Sequence, residues 1–207
     1  MPFSLTAVDT PEELDSPLAS RPAALAEHLA AEKALAARAW PSARADHPIA
    51  AFDTIVVLDG EVLGKPSDLP DAWRMLRALS GRTHHVVTGV AILTPEQTLP
   101  STFSVVTDVR MKTLSDCQIE AWMASGEFMG CAGAYNIEAQ IAEVDDGECF
   151  QNVAGLPLCH LAVALEGVSA SCGLGEISHP VAACDAALSR QCVLGPRILG
   201  ERSDSAS

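Results

Sequence analysis

Positive charge is what this 207-residue chain is shortest of. Thirteen Lys and Arg stand against 27 Asp and Glu, for a formal net charge of −14 and a pI near 4.6. Such a field repels phosphate backbones and excludes a general nucleic-acid binder. It leaves room for a small anionic ligand, because a local cluster of lysines outweighs a distant net charge. Long apolar runs are missing too: none approaches the roughly 20 residues that a membrane span needs, so no membrane partner is expected. The opening MPFSLTAVDTPEELDS has no basic region and no long apolar segment. No secretory signal is visible, and a cytoplasmic location is the default expectation. Internal repeats are absent. The seven cysteines are odd in number in a chain that is not small, which predicts reduced thiols rather than a disulfide framework.

Apolar residues are plentiful, at 48% of the chain, enough for a sizeable core. Residues 1–21 read as a short strand and a loop. The alanine-rich segment 22–40 reads as a helix with Pro22 at its first position. Leu25, Leu29 and Lys33 fall on one stripe of it. A lysine continuing an apolar stripe either snorkels into water or aims its ammonium into a site. Residues 49–58 read as a buried strand, 69–79 as a helix stopped by Gly81, and 85–93 and 103–111 as further strands. Ser115 is the expected N-cap of a helix over 114–124, with Asp116 in its positive first turn. A strand near 135–144 and a helix from Pro157 come next. Strands alternating with helices predict an α/β (α+β) domain, a mixed twisted sheet flanked by helices. That domain is expected over 1–166. The remainder, 167–207, reads as a partly disordered C-terminal extension with one short helical pattern at 181–188.

Four segments put charged or glycine-rich residues at turns and strand ends: Asp53-Thr54, Gly64-Lys65-Pro66, the SGRTH at 80–84 and the CAGAYNIE at 131–138. Each alone has an ordinary structural explanation, as a satisfied carboxylate, a turn lysine, a helix stop and a tight loop. Their order is more telling. DTIVVLDGEVLGKP, MLRALSGRTH, TGV, FSVVTDVRMKTLS, CAGAYNIE and NVAGLPL together resemble the Maf family of nucleoside triphosphate pyrophosphatases, and RPAALAEHLAAEKA is similar to the family's lysine-bearing helix. The resemblance covers residues 3–165.

It implies a Maf/inosine-triphosphatase-like fold and hydrolysis of a nucleoside triphosphate to monophosphate and diphosphate, clearing non-standard or modified nucleotides. Asp53 would accept the proton of the attacking water or hold it through a divalent metal, magnesium or manganese. Lys33 and Lys65 would hold the phosphates. Thr54 and Glu138 would select the base: Thr54 resembles the dTTP/UTP-hydrolysing branch, Glu138 with Cys131 the 7-methyl-GTP branch. Because a glutamate only accepts hydrogen bonds, the lean is towards the donor edge of a purine. A homodimer is also implied. Asp9, Glu12 and Glu13 are candidates for the family's acidic position.

One family element is unmatched. The chain begins at MPFSLTAVDTPEE, which resembles the stretch located after the family's first strand and its Ser-Pro-Arg-Arg-like loop, and LASR at 18–21 lies too near Lys33 to replace them. This leaves two expectations: the protein starts further upstream, or it is a homologue that binds a nucleotide or partner without catalysis. Towards the C-terminus, Cys159, His160, Cys172, His179, Cys184 and Cys192 could supply a metal. The 12, 11 and 7 residues between those four cysteines lack tight Cys-x-x-Cys pairs, and Cys159 reads as a buried small hydrophobe.

Overall fold

The computed structural model describes residues 4–5, 7–8, 10, 14, 17–40 and 46–200. Asp9, Glu12 and Glu13 lie outside them, as does most of the strand expected in 1–21.

Helix α1 (Pro22–Arg38) forms where the alanine run predicts it, with proline in its first turn. Strands β1 (Ile49–Leu58) and β2 (Glu61–Leu63) make a hairpin, followed by α2 (Leu69–Leu79). Asp68 caps α2 by accepting from the Asp71 amide at 2.8 Å. Strands β3 (Thr83–Leu93) and β4 (Ser101–Met111) come next, then α3 (Asp116–Ala124). The Ser115–Gln118 capping box closes α3, as its N-cap residue predicted. A two-residue strand β5 (Ala142–Glu143), α4 (Phe150–Val153), α5 (Leu158–Cys172), α6 (Val181–Leu188) and α7 (Gly195–Ile198) complete the chain. Among the described residues no helix is long and apolar enough to cross a membrane.

The five strands form one sheet in the order β2-β1-β3-β4-β5. The α/β (α+β) class stands, and among the described residues every strand pairing is antiparallel, so the parallel pairs of a mixed sheet are not among them. Strand period two divides the core in two. Ile55, Val57 and Val87 point to α1 and meet Leu25, Ala26 and Leu29. Val56, Leu58, Val86 and Val109 point the other way, to Leu76 and Leu79 of α2 and Ile119 of α3. Helix α1 lies close on the sheet because Gly89 has no side chain: a Cβ there would stand 2.1 Å from the Ala26 carbonyl oxygen.

Residues 135–144 differ from expectation. In place of one strand, two 3-10 turns, Ala132–Ala134 and Ile137–Ala139, precede the short β5. Gly133, Ala134 and Gln140 have left-handed backbones, with φ of 69°, 62° and 57°. The Asn136 side chain caps the second turn at the Ala139 amide, 3.0 Å away. Local side-chain capping outcompetes the extended ladder there.

Candidate active site

Strand β2 covers β1 only at Val56 to Leu58. Among the described residues the outer edge of β1 before Val56 therefore has no partner strand, and a cleft of about 390 Å³ opens along it. Because it opens at an edge, side chains from both faces of β1 reach it. Lys33, Asp53, Thr54, Lys65 and Glu138 all line this one cleft.

Asp53 lies in the middle of β1, opposite Gly89, rather than at the strand's start. Its carboxylate is 4% exposed and forms an ion pair with the Lys33 ammonium. A buried charge requires such a partner, since desolvation alone disfavours it by several kcal/mol. The close approach of α1 at Gly89 is what lets a residue two turns further along the helix reach β1. The Lys33 ammonium turns in to Asp53 rather than out into water. Lys65 is exposed between two buried neighbours, Gly64 and Pro66, so its backbone is fixed while its side chain faces the cleft. The chain has three lysines, and two of them line this site.

Thr54 points to the opposite face. Its hydroxyl is 2.9 Å from that of Thr88, whose own hydroxyl donates to the Asn152 carbonyl at 3.1 Å. The wholly buried Asn152 side chain donates to the Val86 and Val105 carbonyls and to the Thr107 hydroxyl, at 3.3, 3.1 and 3.1 Å. Asn152 thus ties β3 to β4 beneath the threonines, and its neighbours Val153, Ala154 and Gly155 form cleft wall.

The far wall is the 131–138 loop. The Gly133 amide donates to the Gly64 carbonyl at 3.0 Å, which joins this loop to the turn carrying Lys65. Tyr135, the chain's one tyrosine, lines the cleft and meets buried His84 behind it, its hydroxyl 2.6 Å from Nε2. Burial lowers the His84 pKa to about 4 and raises the phenol of Tyr135, so both are neutral near pH 7. Burial also pushes the Cys131 thiol up, with Glu127 adding to it and Lys65 opposing.

The family profile described as Maf-like protein matches residues 1–168. The chain belongs to the Maf family. It is 42% identical over 172 residues to a dTTP/UTP pyrophosphatase of Geobacter sulfurreducens, covering 81% of this chain and 86% of that one. A protein of the same name from Shewanella sp. strain MR-7 is 47% identical over 135 residues, covering 64% and 68%. Another, from Ruminiclostridium cellulolyticum, is 38% identical over 168 residues, covering 80% and 85%.

Within this Maf domain, sequence reasoning missed Thr88, Asn152 and Gly89 as residues that shape the cleft. Asn152 and Gly89 sit inside two of the family strings, NVAGLPL and TGV. What the strings could not convey is that Asn152 reaches across two strands, or that Gly89 faces a helix.

Proposed function

We propose that this chain hydrolyses a nucleoside triphosphate between the α and β phosphates, releasing the monophosphate and pyrophosphate, with dTTP and UTP as first-choice substrates. The observation that carries the reading is the gathering of Lys33, Asp53 and Lys65 in one cleft with Thr54 and Glu138. Two ammonium groups in a chain of net charge −14 are a local exception that suits a polyphosphate.

Asp53 takes the proton from the attacking water. Its pairing with Lys33 holds the carboxylate in place and supplies positive charge beside the phosphorus under attack. Lys65, on its fixed turn, offsets the charge that grows on the pyrophosphate leaving group. The phosphate oxygens displace water from the cleft and strengthen both contacts.

Asp53 and Glu138 are the carboxylates lining the cleft, and no closed metal shell of three or more His, Cys, Asp or Glu exists among the described residues. One buried carboxylate suits magnesium or manganese, which keep waters and substrate phosphate oxygens as most of their ligands. Asp53 would hold it, and when bound the ion supplies Lewis-acid neutralisation of the phosphate charge.

Base choice rests on Thr54 and Glu138. The names of the relatives favour thymine and uracil over the purine that Glu138 suggested by itself. A carboxylate at 138 accepts the ring N3–H that both pyrimidines offer. Thr54, its hydroxyl shared with Thr88, faces the same space.

Pyrophosphate release should be measured with purified protein and magnesium or manganese across dTTP, UTP, GTP and 7-methyl-GTP. Turnover of dTTP and UTP is expected to exceed that of the purines. Asp53→Asn should lower turnover by about 10²–10⁴-fold while nucleotide still binds. A purine preference would return base choice to Glu138. No turnover from a folded chain that binds nucleotide would leave the non-catalytic homologue as the reading.

A further inference from the structure

Two polar side chains of the cleft have their hydrogen-bonding direction fixed by groups behind them. The first is Thr54. The buried Thr88 hydroxyl has one hydrogen, and it goes to the Asn152 carbonyl at 3.1 Å. Towards Thr54, 2.9 Å away, Thr88 can then only accept, so Thr54 is the donor of that bond. Its lone pairs are what Thr54 keeps for the cleft it lines. The nearby Gly155 amide does not take them up, because it donates to the Asn152 carbonyl at 2.9 Å. Gly155 also leaves them uncovered: a Cβ there would stand 3.2 Å from the Thr54 hydroxyl, and glycine has none.

The second is Asn136, in the loop that forms the far wall. Its side chain accepts from the Ala139 amide at 3.0 Å, and only the oxygen end of a carboxamide can do so. The other end is therefore the NH2, a donor, and among the described residues it has no acceptor. Asn136 lines the cleft two residues before Glu138, which lines it as well.

The cleft thus offers acceptors at Thr54 and Glu138 and a donor at Asn136. A ring N–H next to a carbonyl answers both kinds with adjacent atoms. Uracil and thymine have that edge at N3–H and O4, and guanine has it at N1–H and O6. Cytosine and adenine carry the reverse, a bare ring nitrogen next to an amino group. Against them the ring nitrogen faces the Thr54 lone pairs and the amino group faces the Asn136 NH2. Both contacts are repulsive, which is how a site rejects a base of the right size.

We propose that Asn136 and Thr88 set base choice in this cleft. Asn136 donates to the base carbonyl, and Thr88 holds Thr54 as the acceptor of the neighbouring ring N–H. The proposal rests on the nucleoside triphosphate reading above and deepens it, from two named substrates to one chemical edge. Asn136 meets the base itself. Thr88 is a positioning residue, because it acts through Thr54 and is wholly buried.

The test compares UTP with CTP and GTP with ATP on the full chain, by kcat/KM and by equilibrium dialysis. UTP and GTP should be preferred. N3-methyl-UTP, which has lost the N–H, should bind the wild type roughly 10-fold or more weakly than UTP, a comparison that needs no variant. Asn136→Asp keeps the oxygen that caps Ala139 and puts a second acceptor where the NH2 stood. Its UTP-to-CTP ratio should fall roughly 10–100-fold, with an unchanged Tm showing that the cap survives. Thr88→Val frees the Thr54 hydroxyl to donate into the cleft, so the ratio should fall there too, and Thr88→Ser should restore it. Equal use of UTP and CTP by the wild type overturns the proposal, as does a ratio unmoved in Asn136→Asp. A UTP preference in binding without any turnover would sink hydrolysis and leave the base reading standing. No binding of UTP at all overturns both.

Discussion

Strand β1 carries two different kinds of polar chemistry on its two faces. Towards α1, Asp53 and Lys33 form a charged pair at the border of the cleft. Towards α4, Thr54, Thr88 and Asn152 form a neutral network whose deepest member is wholly buried. The pair borders the cleft, with a fifth of the Lys33 side chain exposed. The network is closed, its Asn152 amide nitrogen within hydrogen-bond distance of two carbonyls and a hydroxyl. One face is charged and open to the cleft, and the other is neutral and buried.

The comparison breaks most severely at Gly89, which underlies the charged face. Gly89→Ala puts a Cβ against the Ala26 backbone, so α1 must move and take Lys33 with it. A loss of roughly 3 kcal/mol is expected, which thermal unfolding would read as a fall in Tm of about 6–12 °C, with turnover falling too. On the neutral face Asn152→Ala leaves the Val86 and Val105 carbonyls short of a donor and opens a cavity. It should cost about 3 kcal/mol by denaturant titration while Lys33 and Asp53 keep their pairing. Asp53→Asn is the counterpart, losing turnover with little change in Tm.

A smaller effect sharpens the contrast by pH. His84 points to the neutral face, and its pKa falls from 6.5 to about 4 on folding because burial disfavours the cation. The unfolded chain therefore takes up the proton first. Stability from this group is complete above pH 6.5 and drains away as pH falls towards 4, a loss of about 2 kcal/mol by pH 5. Melting curves between pH 7 and 5 should show it, and a His84→Gln variant should flatten that dependence. The smallest expected effect is Thr88→Val, which removes one hydroxyl from the network. About 1 kcal/mol is expected, with the larger change in KM for the nucleotide rather than in kcat.

Much of the fold was legible. The strand at 49–58 and the helices at 69–79 and 181–188 lie where apolar period, proline and glycine predicted them. The Asp68 and Ser115 side chains cap their helices through their own neighbours, a signal carried within four residues. The 135–144 loop departs from its sequence reading because its alternating apolar pattern is shared by a strand and by a 3-10 turn capped by Asn136. Only left-handed backbone at Gly133, Ala134 and Gln140 separates the two.

The inventory of the site was likewise open to reading, with Asp53, Lys33, Lys65, Thr54 and Glu138 all named by short strings. Which of them meet was not. Three lysines were available, and folding sends Lys33 to Asp53 while Lys112 bonds the Gln140 carbonyl at 2.7 Å. Seven cysteines were available, and folding sets Cys149, Cys159, Cys184 and Cys192 around one small cavity. Helical and strand periods, caps and turns are local, so the order of residues alone determined the elements and the kinds of group they carry. Partnerships across 20 or 64 positions, such as Lys33 with Asp53 or Thr88 with Asn152, depend on how closely a helix can lie on a sheet. A missing side chain at Gly89 decided that distance, and only tertiary packing could show what it made room for.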